Sequence, residues 1–124
     1  KEIGNVNKDY FLYGDEVDYF NRLKLSGKIF TMMNSIHYHP PRANNRISNI
    51  WLFYTLKNSI INNYKYNKFY NINNLLVILL LIFRLFIRNG IFELVSYLFG
   101  KYNFIFYKAI IFGYRKKIGQ NYPK

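Results

Sequence analysis

Apolar residues along the chain change spacing several times, and each change predicts an element. The longest run is Leu75 to Phe83, nine apolar residues without a break; beyond it Arg84, Arg88, Asn89 and Glu93 interrupt a stretch that continues to Phe99. Asn73 or Asn74 supplies a start signal, Asn89-Gly90 a stop and Gly100 a second stop. The stretch therefore predicts two helices, about 75–88 and 91–99, packed as a central apolar pair with Arg84 and Arg88 turned outward. Upstream, Val17, Phe20 and Leu23 recur at helical spacing in GDEVDYFNRLKLSGK. Asp15 is placed to cap this helix, Asp18 lies near its positive end, Arg22 and Lys24 lie near its negative end, and Gly27 closes it. A third helix is predicted from Ser48 over SNIWLFYTLKNSIINN, with Ile50, Phe53, Ile60 and Ile61 as core positions. Over 104–112, aromatic and β-branched residues leave strand and helix tied.

Between these elements the pattern lapses. Residues 1–14 show no helical period and read as an extended arm, with a short strand expected at Tyr10 to Tyr13. Pro40 and Pro41 make 31–47 a loop, because neither can continue a helix. NNYKYNKFYNINN, 62–74, reads as a polar Tyr/Asn/Lys tract. The fold expected is mainly α, with three to four short helices. It forms one small domain over 15–113, flanked by extended amino- and carboxyl-terminal arms, the latter a basic tail at 114–124.

Charge changes this picture. Five of the six acidic residues lie in the first 18 positions, whereas from Asn21 onward 16 Lys or Arg face Glu93 alone. A compact body so one-sided repels itself unless a polyanion or anionic surface neutralises it. Aromatic residues reach 21% of the chain, more than a domain of this size buries easily, which points to partners covering the surplus. Arg42 and Arg46 in the Pro-containing loop, Lys65 and Lys68 among the tyrosines of the polar tract, and Arg115, Lys116 and Lys117 in the tail are the candidate contacts to nucleic acid. Cations beside flat rings suit phosphate attraction and base stacking.

Catalytic and metal chemistry find no support. The chain has no cysteine, its acids are almost confined to the arm, and His37 and His39 lack a third ligand nearby. The chain is therefore not expected to be an enzyme, and no cofactor or small-molecule substrate is expected.

Phe, Tyr, Met, Ile, Asn and Lys, the residues of A- and T-rich codons, make up 72 of the 124 positions, while Ala occurs twice. A small, basic, cysteine-free chain of this bias resembles the ribosomal proteins encoded in AT-rich protist mitochondrial genomes. Over 75–122, FRLFIRNG, a second helix and RKKIGQNYP are similar in order to the opening of the small-subunit ribosomal protein family numbered seven. There the first helix ends before a Gly, and a basic segment precedes a Gly-containing hairpin. The order departs from that family where Ile91 and Phe92, not two lysines, follow Gly90. The resemblance implies a structural subunit of a mitochondrial matrix ribosome, bound to ribosomal RNA and neighbouring ribosomal proteins. The alternative is an accessory subunit of an inner-membrane respiratory-chain or ATP synthase complex, with 74–99 among membrane lipids and respiratory-complex subunits. Against it, Arg84, Arg88 and Glu93 would sit in the bilayer at a cost of ~2.5–3.5 kcal/mol each.

Overall fold

The computed structural model describes residues 4–27, 38 and 46–123, and among them the chain is mainly α: five helices and no strand. These are α1 (Asp15–Ser26), α2 (Asn49–Tyr66), α3 (Tyr70–Asn89), α4 (Ile91–Leu98) and α5 (Asn103–Tyr114). Most of the Pro-containing loop, including Arg42, His37 and His39, lies outside the described residues.

The organising element is α2 rather than the apolar pair. Its start is fixed by Ser48, whose side chain accepts from the Trp51 N–H at 3.2 Å. It then runs 18 residues with buried side chains on every face, Leu52, Phe53, Tyr54, Leu56, Ile60 and Ile61 among them, as a helix enclosed by others must. Ile50, expected in the core, is half exposed because it lies in the first turn, outside the ring of neighbours. α5 and α3 pack along α2, and α1 lies against it. The approach of α5 depends on two small residues four apart, Ala109 and Gly113; a Cβ added at Gly113 would lie 2.8 Å from the Ile60 Cβ.

Three expectations are corrected. The polar tract, expected between helices, is mostly helical: Asn62 to Tyr66 complete α2, Tyr70 to Asn74 open α3, and only Asn67 to Phe69 turn between them. Asn is a weak helix former, but here Asn62 and Asn74 are buried and Asn63 Nδ2 donates to Asn74 Oδ1 at 3.0 Å, so tertiary pairing outweighs propensity. The predicted strand at Tyr10 to Tyr13 is absent, since Leu12, Tyr13 and Gly14 all have positive φ. This turn aims successive carbonyls at α2, where Asn58 Nδ2 donates to those of Leu12 and Tyr13 and Asn62 Nδ2 donates to that of Gly14. Finally, α1 turns the opposite face inward: Val17 and Phe20 are exposed and Asp18 is buried.

The apolar pair breaks at Gly90 as expected, with the Gly90 N–H closing on the Phe86 carbonyl at 3.0 Å and φ at 86°. The side chain of Asn89 holds that corner, accepting from the Ile47 N–H at 2.9 Å and donating to the Ile47 carbonyl and to Glu93. Arg84 and Arg88 are exposed, as expected of α3, but so are most of its apolar side chains. Asn74, Leu81 and Leu85 form its buried line, while Ile72, Leu75, Leu76, Leu79, Leu80, Phe83, Phe86 and Ile87 form an outward stripe, each 47% to 65% exposed. Arg84 flanks the inward side with its guanidinium 4.9 Å from the centre of the Trp51 ring. A second outward line, Phe104, Tyr107, Ile111 and Tyr114, runs along α5.

The basic tail is folded back on α2. Lys57 Nζ, fully buried, donates to the Gly119 carbonyl at 3.0 Å and to Asn121 Oδ1 at 2.9 Å. The Tyr122 N–H donates to the Tyr54 hydroxyl at 3.1 Å, and the Tyr122 ring stands edge-on to Phe53. Carbonyls 12–14 and residues 119–122 thus both close onto polar positions of one helix.

Candidate nucleic-acid interface

Along α2 the predicted basic residues separate into two groups. Arg46 precedes its first turn and lies 3.6 Å from Glu93 Oε1; Lys65 sits in its last turn, roughly 27 Å away at 1.5 Å per residue. Arg42, expected beside Arg46, is outside the described residues.

The second group is brought together by tertiary structure. The end of α5 places Arg115 as its cap, and Lys116 follows with φ at 53°, a left-handed turn that swings its side chain back towards α2. Lys116 Nζ lies 3.4 Å from the centre of the Tyr64 ring, and Tyr64 meets Tyr70 edge-on at 5.0 Å. The neighbouring ammonium lowers the Tyr64 phenol below its ordinary pKa. Lys117 Nζ lies 4.7 Å from the Phe112 ring, and Lys108 reaches both Phe104 and Phe112 at 4.6 and 5.3 Å. Lys68, in the turn between α2 and α3, lies over Phe69 at 5.9 Å. Among the described residues no carboxylate pairs with Lys68, Lys108, Arg115, Lys116 or Lys117.

Lys65 differs. Its ammonium lies 2.6 Å from Asp18 Oδ1, which also accepts from the Tyr66 hydroxyl at 2.6 Å, while Arg22 Nε lies 3.0 Å from Asp18 Oδ2. Burial pushes the Asp18 carboxyl up, but hydrogen bonds from Lys65, Tyr66 and Arg22 outweigh this and hold it below the usual range. Lys65 is therefore a structural cation whose charge is already met. Lys116 and Lys65 nonetheless line one cavity of about 420 Å³, with Asn7, Tyr10, Ile61, Tyr64 and Ile118. The Tyr10 hydroxyl donates to Asn62 Oδ1 at 2.6 Å, and burial pushes its pKa up to about 12.

Three contributors were missed in the sequence. Lys108 carried a usable signal, since Phe104, Lys108 and Phe112 recur at four-residue spacing and must share a helix face once 103–114 is helical. Asn7 and Tyr10 carried none, because only the folded arm brings them to the end of α2. Comparison with known protein families, curated proteins and solved structures finds no match to this chain.

Proposed function

We propose that this chain is a structural RNA-binding subunit of a mitochondrial ribosome, contacting ribosomal RNA phosphates through Arg115, Lys116 and Lys117 with Lys108 and Lys68 beside them. Neighbouring ribosomal proteins cover the apolar faces of α3 to α5. The observation that carries this reading is the convergence of the tail cluster on the Tyr64 end of α2, where ammonium groups with no carboxylate partner among the described residues stand on aromatic rings. Such a surface offers phosphate attraction and ring stacking together, while Asp18 is withdrawn into the α1–α2 contact and Glu93 into the Asn89 corner.

The test is a salt titration of the full chain on mitochondrial ribosomal RNA. Each phosphate contact contributes about −0.7 to −0.9 to the slope of log affinity against log salt, so replacing Arg115, Lys116 and Lys117 together by glutamine reduces the slope by about two to three. Lys65→Gln leaves it nearly unchanged, because that charge already serves Asp18. A flat salt dependence in the unmodified chain would defeat the proposal.

A second reading, an accessory subunit of an inner-membrane respiratory-chain or ATP synthase complex, is favoured by one specific observation, the outward stripe of α3. Helix α3 is long and apolar enough to cross a membrane, with mean hydropathy 1.9 over its best window, of which 17% is buried. The stripe from Ile72 to Ile87 spans roughly 22 Å, and covering its eight half-exposed side chains is worth on the order of 8 kcal/mol. Arg84, one of the three charges that argued against lipid, is directed to Trp51 rather than along the stripe. Fractionation separates the readings. Release of the chain from mitochondrial particles by high salt and RNase is the result expected for the ribosomal subunit, and retention in the membrane pellet after alkaline carbonate that for the membrane subunit.

A further inference from the structure

We infer that the cavity between the amino-terminal arm, the end of α2 and the tail is a pocket for one unpaired nucleotide, the base held inside and its phosphate on Lys116. This rests on the RNA-binding reading and assigns it a site.

Size, charge and chemistry support the assignment. At about 420 Å³ the cavity falls within the ~300–1,000 Å³ of small-ligand pockets. Tyr10 and Ile61, both 5% exposed, with Ile118 supply apolar surface for the flat faces of a base. Tyr10 keeps its hydroxyl engaged on Asn62, so it presents the pocket with ring rather than with a competing polar group. Tyr64 stands at the rim with Tyr70 edge-on beside it, a ring pair that can extend a stack beyond the first base. Of the two ammonium groups lining the cavity, Lys65 is held on Asp18, which it shares with Arg22, whereas Lys116 has no carboxylate partner among the described residues and is the cation placed to meet a phosphodiester. Asn7 adds an edge group: its Oδ1 accepts from the Asp9 N–H at 3.0 Å, which fixes the side chain and leaves the amide N–H groups to donate to a base edge. A base in a duplex cannot enter such a pocket, so the site selects single-stranded or looped RNA.

The experiment uses the full chain and a single-stranded oligoribonucleotide carrying one internal 2-aminopurine, with the same strand in a duplex as the control. Binding of the single strand quenches 2-aminopurine fluorescence, and the single strand binds about tenfold more tightly than the duplex. Ile118→Trp fills the cavity from an exposed position outside the helices, and Lys116→Gln removes the phosphate partner. Each weakens single-strand binding about tenfold, within the range measured for loss of one stacked base. Ile118→Trp also changes the quenching while leaving the salt slope and the helical circular dichroism as they were. Unchanged quenching and affinity in both variants, with RNA binding intact, overturns the pocket and leaves the RNA reading standing. Absence of salt-dependent RNA binding in the unmodified chain overturns both.

Discussion

Asp18→Ala destabilises the full chain by about 3 kcal/mol, at the lower end of the cost of removing one partner from a buried ion pair. The carboxylate is completely buried and accepts from three side chains on two helices: Lys65 and Tyr66 of α2 at 2.6 Å each, and Arg22 of α1 at 3.0 Å. Alanine leaves all three without their acceptor. Lys65 and Arg22 keep partial access to water, which holds the cost at the low end of the range. Besides these bonds, the Tyr66 hydroxyl reaches the Asp18 backbone carbonyl at 3.5 Å, a weak contact that survives the substitution, and Val17 and Phe20 face outward; the loss therefore falls first on the docking of α1.

The pH dependence has a definite sign. The folded Asp18 pKa lies below its unfolded value of about 3.9, so its contribution is complete above that value and is lost as pH falls through the folded pKa. Lys65, raised by the hydrogen bond from its ammonium to Asp18 despite burial that lowers it, contributes in the opposite sense. Its share is complete below about 10.5 and is lost as pH rises through the folded value. Urea unfolding followed by circular dichroism, in a mild detergent that covers the α3 stripe, measures the loss, and hydrogen exchange over 15–26 locates it. A difference under 0.5 kcal/mol, or an acid transition identical in the variant, contradicts the assignment.

The same residue marks where sequence reasoning reached its limit. Asp18 reads correctly as an acid near a helix start, and the helix lies where its period, Gly14 and Gly27 place it. Which face turns inward is decided by Lys65 and Tyr66, 47 and 48 residues away, and no local pattern contains that. The break at Asn89-Gly90 was legible because it is local chemistry, a glycine with positive φ. The burial of α3 was not, since an apolar run satisfies a core, a partner or lipid equally; only the places of Leu81 and Leu85 against the neighbouring helices show that the larger apolar arc faces out. The site follows the same division. Arg115 to Lys117 and the Tyr/Lys tract were each visible as patches, but their meeting depends on α2 running on through Tyr66 and on the turn at Lys116. Composition misled once: Asn58, Asn62 and Asn74, easily attributed to codon bias, are buried, and the first two fasten the arm to α2.

Lys57 carries the second large effect. It is completely buried, makes no described ion pair, and places its ammonium 4.6 Å from the Tyr54 ring while donating to Gly119 and Asn121 of the tail. Burial lowers its pKa from 10.5 to about 8. Between these values the unfolded chain binds the proton and the folded chain does not, so stability rises with pH across the window by about 3 kcal/mol. Below about pH 8 the ammonium is charged in both states, and its desolvation weighs fully against the fold. Lys57→Met removes that cost together with the two bonds to the tail. The expected result is a chain whose helices are at least as stable at pH 7, since a well-packed apolar side chain commonly matches or exceeds a buried ion. Its stability no longer rises between pH 8 and 10.5 relative to the unmodified chain. The tail, which has lost its bonds from Gly119 and Asn121 to Lys57 but keeps Tyr122 on Tyr54 and Phe53, opens more readily, and the Tyr122 N–H exchanges faster while amides of α2 do not. A variant that retains the rise in stability shows that Lys57 is not the titrating group. One that loses helix and tail together shows that the tail is part of the core, rather than a strap closing over it to hold Arg115 to Lys117 beside Tyr64.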